Sequence, residues 1–323
     1  VELDPKTNEK IWEYQGTPTA SIFSWFISGA QRLSSGNTLI SEGAWGRLFE
    51  VTSEGNIVWE WNSFDYLDWL QDYDLLGGSW NIFTLSDGKY DWTHSNAFYF
   101  DASESVIYMS HRHLSRISKI DYPSGDLIWM MGMPAEYMAS GDEHICTELG
   151  YSWQNNVLFL DNVNILYFDY GNLSELFGDS EPTTRIWEVH VVDDSYCEVI
   201  WEYQLSDDLH GPWMGSVQLL NNGNYMINTV GGGGHAIEVT QEQEVVSDID
   251  WDIGPFDDPT TNYRSYRIPS IHPDAFGVIF DDYEIINLDG ISTEGISLDD
   301  GSLTLSVSNA SGYEQLYSYH LSD

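Results

Sequence analysis

The amino-acid sequence predicts an all-β protein, a β-propeller built from four-stranded antiparallel blades. One β-hairpin recurs along the chain as a ribbon that ends in tryptophan, and a second hairpin precedes most of its copies. The terminal tryptophans stand at positions 12, 59, 129, 201 and 251, with spacings of 47, 70, 72 and 50 residues, near the length of propeller blades with insertions. A single β-sandwich is the alternative, but it does not need a tryptophan at the same point of every unit.

The hairpins account for most of the chain. The ribbons occupy residues 1–12, 48–59, 117–129, 186–201 and 236–251, and the last copy departs most from the pattern. Each ribbon joins two short alternating segments through a polar turn such as Ser53-Glu54-Gly55-Asn56, which predicts two antiparallel strands. The upstream hairpins occupy residues 30–40, 96–107, 156–166 and 216–227. Two hairpins per unit give a four-stranded blade, and we expect the large tryptophan rings to fill the space between adjacent blades.

The C-terminal segment differs from the preceding units. Within residues 276–323, three short stretches alternate as strands. We expect them to form a short C-terminal β extension, so that the chain divides into a propeller at 1–275 and an extension at 276–323. The same strands also suit closure of the ring. Because the sequence begins inside a hairpin, we expect a signal peptide or an earlier half-blade to precede it.

The composition limits the partners and the location of the protein. The 323 residues include 52 acidic and 11 basic side chains, and the net charge is −41. Such a surface repels nucleic acid and anionic lipid, and no apolar run is long enough to insert into a bilayer. Because the Debye length falls from about 10 Å at 0.1 M salt to about 3 Å at 1 M, the charge favours a saline, extracytoplasmic location.

Two features remain open at the level of sequence. A calcium-binding surface is the alternative explanation of the charge, with Asp-rich loops at 248–252 and 257–258 as weak ligands, although neither matches a known calcium-loop pattern. The two cysteines, Cys146 and Cys197, fit either one disulfide or two unpaired thiols.

The scarce cationic side chains mark the candidate site. Propeller loops converge on one central channel, so residues far apart in sequence can meet there and bind an anion. His94 directly precedes an upstream hairpin, and His235 follows a glycine run that lets the backbone approach a ligand closely. The arginines nearest to such positions are Arg112, Arg116 and Arg185, and His111 and His113 flank the first of them. Ion pairs between scattered surface arginines and nearby carboxylates are the alternative.

In their shared order, these motifs resemble the bacterial arylsulfate sulfotransferases over residues 1–275. The resemblance rests on Gln31-Arg-Leu with Gly36-Asn-Thr-Leu-Ile40, Asp91 with His94-Ser-Asn96, Ser110-His-Arg112, Gly125-Asp-Leu-Ile-Trp129, Phe168-Asp169-Tyr-Gly171 with Arg185, and Tyr263-Arg-Ser-Tyr-Arg267. It implies a six-bladed propeller that moves a sulfuryl group from a phenolic sulfate to a phenol through a sulfated histidine. It also implies a periplasmic or secreted protein without a cofactor or metal.

The resemblance further implies roles for individual residues. His235 takes the position of the nucleophile, His94 that of a histidine binding the sulfuryl or phenolic oxygens, and Arg185 that of the charge-stabilising arginine. Arg112, Asn155 and His113 are the implied substrate-binding residues. A neutral imidazole is a competent nucleophile near pH 7, and arginine suits the equatorial oxygens of a sulfuryl group in transfer.

One position departs from the family pattern. Asn155 in Trp153-Gln154-Asn155-Asn156 stands where the resemblance leads us to expect histidine. Asparagine donates hydrogen bonds but transfers no proton, and loss of general acid/base help typically costs about 10²–10⁴-fold in rate. The sequence therefore supports two functions, a sulfotransferase acting on small aromatic sulfates and phenols, or a catalytically silent propeller that serves as a binding or structural surface subunit. Either one is compatible with a homo-oligomer or surface assembly.

Overall fold

The computed structural model describes residues 1–4, 9–15, 27–43, 46–67, 93–134, 144–160, 163–251, 263–268, 276–280, 283–288, 291–296 and 305–309. The chain divides into two compact units, one formed by residues 14–266 and the other by residues 1–13 and 267–323. The boundary predicted at residue 275 stays a prediction.

The larger unit contains four four-stranded antiparallel sheets among its described residues, each with its strands in chain order. Sheet 1 comprises β3 (Ile27–Arg32), β4 (Thr38–Glu42), β5 (Arg47–Val51) and β6 (Ile57–Asn62). Sheet 2 comprises β7 (Ser95–Asp101), β8 (Val106–His111), β9 (Arg116–Asp121) and β10 (Leu127–Gly132). Sheet 3 comprises β11 (Asn155–Phe159), β12 (Ile165–Asp169), β13 (Arg185–Val192) and β14 (Tyr196–Gln204). Sheet 4 comprises β15 (Gly215–Leu219), β16 (Tyr225–Thr229), β17 (His235–Val239) and β18 (Val245–Asp250).

Helical structure is confined to short segments in the part of the chain that the structure describes. The α-helix α1 spans Ser63–Tyr66, and 3₁₀ turns span Arg112–Leu114, Thr147–Leu149, Ser174–Phe177, Asp207–Leu209 and Gly231–Gly233. The prediction of an all-β protein is confirmed. No helix among the described residues is long and apolar enough to cross a membrane.

The smaller unit consists of paired strands. β1 (Glu2–Leu3) pairs with β2 (Lys10–Trp12), which is the ribbon predicted at the start of the chain. β19 (Phe276–Phe280) pairs with β22 (Leu305–Asn309), and β20 (Tyr283–Leu288) pairs with β21 (Ile291–Ile296).

The four sheets correspond to the predicted pairs of hairpins. In each sheet the upstream hairpin supplies the first two strands and the ribbon supplies the third and fourth. The first strands of consecutive sheets, β3, β7, β11 and β15, lie side by side. The predicted blade of four strands is therefore confirmed for these four sheets, whereas the count of six blades stays a prediction.

Side-chain amides join the first strands of neighbouring sheets. Gln31 exchanges two hydrogen bonds with the backbone of Phe100, donating to its oxygen at 2.9 Å and accepting from its nitrogen at 2.8 Å. Asn156 repeats this link between sheets 3 and 4, since its Oδ1 accepts from the backbone nitrogen of Val217 at 2.7 Å. An amide carries both donors and acceptors, so it can continue a backbone pattern across a gap between sheets.

The ribbon tryptophans join the outer edges of the sheets. The indole nitrogens of Trp59 and Trp201 donate to the backbone oxygens of Pro123 and Gln241, each in the last turn of the following sheet. Trp129 makes the corresponding bond to Asp194 Oδ1 at 2.7 Å. The predicted role of these rings between adjacent blades is confirmed at all three positions.

Apolar clusters fill the space between successive sheets. Tyr167 and Trp187 of sheet 3 belong to the cluster shared with sheet 2, while Leu166 and Phe168 face the cluster shared with sheet 4. This assignment follows from strand alternation, which directs successive side chains to opposite faces. A further cluster occupies the space between sheets 1 and 2.

Cys146 and Cys197 form a disulfide, which resolves the alternative left open by the sequence. The bond ties the segment that follows sheet 2 to the outermost strand of sheet 3, across 51 residues of chain.

Candidate functional site

Polar and cationic side chains converge where the first strands of sheets 2, 3 and 4 begin. We name this group the first-strand cluster and define it as His94, Arg112, Trp153, Asn155, Tyr170 and Arg264. His94 directly precedes β7, Asn155 opens β11, and Arg112 and Tyr170 directly follow the second strands of sheets 2 and 3. The strand order therefore brings residues from 94 to 264 to one edge of the larger unit.

The backbone is strained at the entrance to three first strands. His94, Trp153 and Met214 have φ angles of 46°, 58° and 66°, in the left-handed region that disfavours side chains with a Cβ. Such residues cost about 1–3 kcal/mol each and persist where the surrounding structure holds them, often at functional sites. The strain fixes the direction in which His94 and Trp153 leave the backbone.

Arg112 lies against two aromatic rings. Its guanidinium carbon is 4.5 Å from the ring centroid of Trp153 and 5.2 Å from that of Tyr170. Cation–π contacts of this kind contribute about 0.5–2 kcal/mol, more where water is excluded. They hold the cation of sheet 2 beside the aromatic side chains of sheet 3.

His94 and His113 form a stacked pair. Their ring centroids are 4.9 Å apart, and the ring planes differ by 26°. The backbone nitrogen of His113 donates to Thr93 O at 3.0 Å, which anchors the segment before His94. His113 is almost fully buried, whereas His94 is half-buried. His94 is thus the more exposed ring of the pair, and His113 packs against it from the protein interior.

Asn155 is at the centre of the cluster, and its amide is fully used. Its Oδ1 accepts from the backbone nitrogen of Asn156 at 2.9 Å and from Arg264 Nη2 at 2.9 Å. Its Nδ2 donates to Tyr170 Oη at 2.7 Å and to Gly215 O at 3.3 Å. An amide has two donor hydrogens and two acceptor lone pairs, so every one of them has a partner within the protein.

Arg264 belongs to the cluster, although no role was predicted for it from the sequence. Besides Asn155, its Nη2 donates to Asn96 O at 2.8 Å, and its guanidinium carbon lies 4.8 Å from the ring centroid of Tyr263. Arg264 and Arg112 both act electrostatically on Tyr170, where they oppose the effect of burial. Burial nevertheless dominates and raises the pKa of Tyr170 to about 12. The hydroxyl therefore stays protonated at neutral pH.

A buried carboxylate supports Tyr170 from the adjacent position. Asp169 accepts hydrogen bonds from the backbone nitrogens of Ser152 and Gly171, at 2.9 and 2.8 Å, and from the indole of Trp187 at 3.2 Å. Burial raises the pKa of Asp169 to about 7, although these donors act in the opposite direction. At Gly171, φ is 67° and an added Cβ would lie 1.7 Å from Thr183 O, so only glycine fits this turn.

Arg185 and His235 occupy a different place in their sheets. Each opens the third strand, two strands outward from the first strand of its sheet, and inter-strand spacing makes that distance roughly 10 Å. Arg185 forms a bidentate ion pair with Asp179, with Nη to Oδ distances of 2.7 and 2.8 Å. His235 Nδ1 lies 2.7 Å from Asp248 Oδ1. The structure does not bring these two residues into the first-strand cluster.

The surroundings of Arg185 and His235 follow a pattern common to all four sheets. The third strands open with Arg47, Arg116, Arg185 and His235, and the diagonal neighbours on the fourth strands are Glu60, Met130, Glu202 and Asp248. Arg47 Nε, Arg185 Nε and His235 Nδ1 lie 2.9, 3.4 and 2.7 Å from the carboxylate of their diagonal neighbour. In sheet 2 the same diagonal joins Arg116 Nη1 to Met130 Sδ at 4.0 Å. Three of the four sheets place a carboxylate on this diagonal, which indicates a structural contact between the third and fourth strands.

His111 of sheet 2 has a structural role as well. His111 is fully buried between the hydroxyls of Ser95 and Ser118, at 3.1 and 2.8 Å. Burial, assisted by Arg116, lowers the pKa of His111 to about 3, so this ring is neutral.

A separate cavity of about 230 Å³ lies between sheets 2 and 3 and is lined by Tyr108, Trp129 and Lys119 among others. The ammonium of Lys119 is paired with Glu104 and Asp194, at 2.9 and 3.0 Å. The positive charge of Lys119 is thus offset by two carboxylates, which makes this cavity a weak candidate for binding an anion.

The described residues contain no group of three or more histidine, cysteine or acidic side chains arranged to hold a metal ion. The acidic loop predicted as a weak calcium ligand at 257–258, the last residue of the loop at 248–252, and Asp91 of the resemblance lie outside the described residues.

Sequence reasoning missed three members of the first-strand cluster, Trp153, Tyr170 and Arg264. Tyr170 and Arg264 stand inside motifs that carried the family resemblance, and Trp153 stands in the segment where Asn155 departs from the family pattern. Tyr170 follows Asp169 at the end of a second strand, the position that Arg112 occupies after β8.

Comparisons with known proteins give one family. A family model described as arylsulfotransferase (ASST) matches residues 46–264. No curated protein matches the chain.

Several solved structures are similar at low identity. A protein of unknown function from Bacteroides caccae is 14% identical with a TM-score of 0.39, over 66% of this chain and 57% of that chain. A catalytically inactive virginiamycin B lyase from Staphylococcus aureus is 10% identical with a TM-score of 0.44, over 84% of this chain and 69% of that chain. The Dos1 propeller is 9% identical with a TM-score of 0.39, over 70% of this chain and 48% of that chain. The chain spans little more than half the length of the Bacteroides protein and of a streptogramin B lyase, 57% and 53%.

Proposed function

Since this chain belongs to the arylsulfotransferase (ASST) family, we propose that its first-strand cluster binds a phenolic sulfate ester and moves the sulfuryl group to a phenol. The observation that carries the proposal is the convergence of Arg112 and Arg264 on Tyr170 in a chain with only 11 basic side chains and a net charge of −41. Guanidinium groups suit the three oxygens of a sulfuryl group, because they offer charge and several donors at once.

The aromatic part of the ligand also finds suitable surroundings. Tyr263 and Tyr266 are about half exposed, and they flank Arg264 in the chain. Tyr266 is held in place by a hydrogen bond from Asn156 Nδ2 to its Oη at 2.9 Å. Aromatic rings stack favourably against one another, with offset or edge-to-face geometry. We assign the aryl group of the ester to these two tyrosines.

Transfer would proceed in two displacements. A ring nitrogen of a histidine attacks the sulfur, the bond from sulfur to the phenolic oxygen breaks, and the phenolate leaves and takes up a proton from water. A second phenol then attacks the same sulfur and releases its proton to water, while the nitrogen–sulfur bond breaks and restores the histidine. The geometry supports His94 as this nucleophile, because His94 belongs to the cluster, whereas His235 opens the third strand of sheet 4 and lies outside the cluster.

A catalytically silent binding propeller is the second candidate, and a specific observation favours it. Every hydrogen-bonding group of Asn155 is engaged within the protein. An amide in that arrangement transfers no proton to a leaving phenolate. The same cluster would then recognise sulfated aromatic molecules without changing them.

The larger architecture and the location belong to the same proposal. Four sheets with adjacent first strands suit part of a six-bladed ring. The disulfide between Cys146 and Cys197 supports an extracytoplasmic location, because such bonds persist in oxidising compartments. The net charge of −41 supports a saline one.

The test combines binding, turnover and labelling. Titration with 4-nitrophenyl sulfate measures binding, release of nitrophenolate in the presence of phenol measures turnover, and peptide mass analysis locates the added sulfuryl group. The wild-type protein is compared with the variants His94→Gln and His235→Gln. We expect binding, turnover and a label on His94 that the first variant loses and the second keeps.

Other outcomes assign the function differently. A label on His235 would establish the role implied by the family resemblance and refute the assignment to His94. Binding without turnover or label would leave the silent binding propeller. A folded protein that binds no aryl sulfate would reject both.

A further inference from the structure

The hydrogen-bond directions at Asn155 are fixed by groups whose roles are unambiguous. The backbone nitrogen of Asn156 and the guanidinium of Arg264 are donors only, and both lie 2.9 Å from Asn155 Oδ1. The backbone oxygen of Gly215 is an acceptor only and lies 3.3 Å from Nδ2. The amide therefore has one orientation, with its nitrogen toward Tyr170.

Tyr170 consequently accepts rather than donates at both of its contacts. Its Oη receives a hydrogen bond from Asn155 Nδ2 at 2.7 Å and one from the backbone nitrogen of Met214 at 2.7 Å. A phenolic oxygen has two lone pairs and one hydrogen, so these two bonds occupy its acceptor capacity. The hydroxyl hydrogen has no acceptor among the residues that the structure describes.

We propose that Tyr170 is a substrate-binding residue whose hydroxyl donates a hydrogen bond to a sulfuryl oxygen of the bound ester. The inference rests on the proposed function for the identity of the ligand, and it adds a residue to which neither the sequence nor the family resemblance gave a role. Asn155 and Arg264 are then positioning residues, since Arg264 fixes the orientation of the Asn155 amide and the amide nitrogen directs the hydroxyl hydrogen of Tyr170 away from Asn155.

The surroundings of Tyr170 suit an anion as the acceptor. The guanidinium of Arg112 lies 5.2 Å from its ring centroid, and Arg264 acts on it electrostatically. A donor near two cations attracts an oxygen that carries negative charge, and hydrogen bonds to charged acceptors are about twice as strong as neutral ones. A neutral phenol gains much less from the same arrangement.

The first experiment is a binding titration of the variant Tyr170→Phe. We expect the Kd for 4-nitrophenyl sulfate and for inorganic sulfate to rise about ten- to hundredfold, as loss of a hydrogen bond to a charged group does. Affinity for phenol, which is uncharged at neutral pH, should change less than twofold. The matched control is Tyr167→Phe, on the strand that directly precedes Tyr170, whose buried hydroxyl has no hydrogen-bond partner among the described residues. It should leave all three affinities unchanged.

A second variant tests the direction of the hydrogen bond between Asn155 and Tyr170 while keeping the size of the side chain at position 155. Asn155→Asp keeps the shape of the side chain but offers Tyr170 an acceptor, so the hydroxyl hydrogen turns toward the protein. We expect weaker sulfate binding in this variant. Adding Tyr170→Phe to it should have less than a twofold further effect, in contrast to the large effect in the wild-type background.

The results distinguish this inference from the proposed function. If the wild-type protein binds aryl sulfate and Tyr170→Phe binds it equally well, the role of Tyr170 is refuted and the proposed function stands. If the wild-type protein binds without turnover and Tyr170→Phe binds more weakly, Tyr170 keeps its role although transfer fails. If the wild-type protein binds neither sulfate ligand, both proposals fail.

Discussion

Arg112 and Arg185 have the same side chain, but their surroundings indicate different roles. Arg112 lies over two aromatic rings in the first-strand cluster, while the guanidinium of Arg185 is neutralised by the bidentate pair with Asp179. The carboxylate offsets the positive charge of the guanidinium, so a paired arginine attracts an anionic ligand less strongly. The difference predicts different effects for the same substitution.

We expect Arg112→Gln to raise the Kd for 4-nitrophenyl sulfate at least tenfold, because a charged donor is lost from the cluster. The loss of its cation–π contacts should lower the free energy of unfolding by about 0.5–2 kcal/mol. Arg185→Gln should lower the free energy of unfolding by about 1–3 kcal/mol, because Asp179 loses its partner, but should leave the Kd unchanged. Arg32→Gln, at an exposed position near a turn, is the control for both measurements. A large rise in Kd for Arg185→Gln would support the catalytic role that the family resemblance implies.

Asp169 predicts a dependence of stability on pH. Burial raises its pKa from 3.8 to about 7. Because the folded-state pKa lies above the unfolded one, the folded protein holds a proton between these values that the unfolded chain has released. The contribution of Asp169 to stability is therefore largest at low pH and falls as pH rises toward about 7, by up to about 1.4 kcal/mol per pH unit.

The variant Asp169→Asn isolates this contribution from the other acidic groups. Denaturant unfolding of both proteins from pH 4.5 to 7.5 should give a stability difference that shifts in favour of the variant as pH rises. A difference independent of pH would show that Asp169 has an ordinary pKa in the folded protein.

At the scale of elements, side-chain amides replace backbone hydrogen bonds between sheets. Asn156 Oδ1 accepts from the backbone nitrogen of Val217 and its Nδ2 donates to Tyr266 Oη. We expect Asn156→Leu to lower the free energy of unfolding by about 1–3 kcal/mol, because Val217 keeps a buried donor without a partner. Thermal and denaturant unfolding measure the loss, and Asn221→Leu, in an exposed turn of sheet 4, is the control. Equal stability of the two variants would contradict a role of Asn156 in joining the sheets.

The same scale shows what the sequence could predict. Strand alternation, polar turns and the recurring tryptophans identify the hairpins, and the structure contains them in sheets 1 to 4. These signals are local, so they can be read without knowledge of the fold. The bonds from Trp59, Trp129 and Trp201 to the next sheet follow from the same periodicity.

The residues of the candidate site were predicted less completely than the hairpins. How far a residue lies from the first strand of its sheet depends on strand pairing, which neighbouring residues in the sequence do not reveal. His235 follows a run of glycines and Arg185 follows a hairpin, but both open third strands and face acidic residues of the fourth. The equivalence of positions 47, 116, 185 and 235 was present in the sequence, where each opens a ribbon or directly precedes one. Tyr170 could not be assigned from sequence, because its role depends on the directions of two hydrogen bonds from residues 155 and 214.

At the scale of the whole molecule, electrostatic repulsion opposes the apolar packing. The net charge of −41 is spread over a chain whose core clusters lie between sheets rather than in one central mass. Repulsion among surface carboxylates acts over several ångströms, whereas packing between sheets acts at contact. Salt weakens the repulsion among carboxylates and leaves the packing between sheets nearly unchanged.

We therefore expect the midpoint of thermal unfolding to rise as NaCl increases from 0.1 to 1 M. The Debye length falls over this range from about 10 to about 3 Å, which is shorter than most separations between surface charges. Two controls distinguish screening from general effects of the solvent. Sucrose at matched osmolality carries no charge and should reproduce little of the rise, and at pH 4, where many carboxylates are protonated, the effect of NaCl should shrink. An equal rise in sucrose, or an undiminished effect of NaCl at pH 4, would mean that repulsion between carboxylates does not limit the stability of this protein.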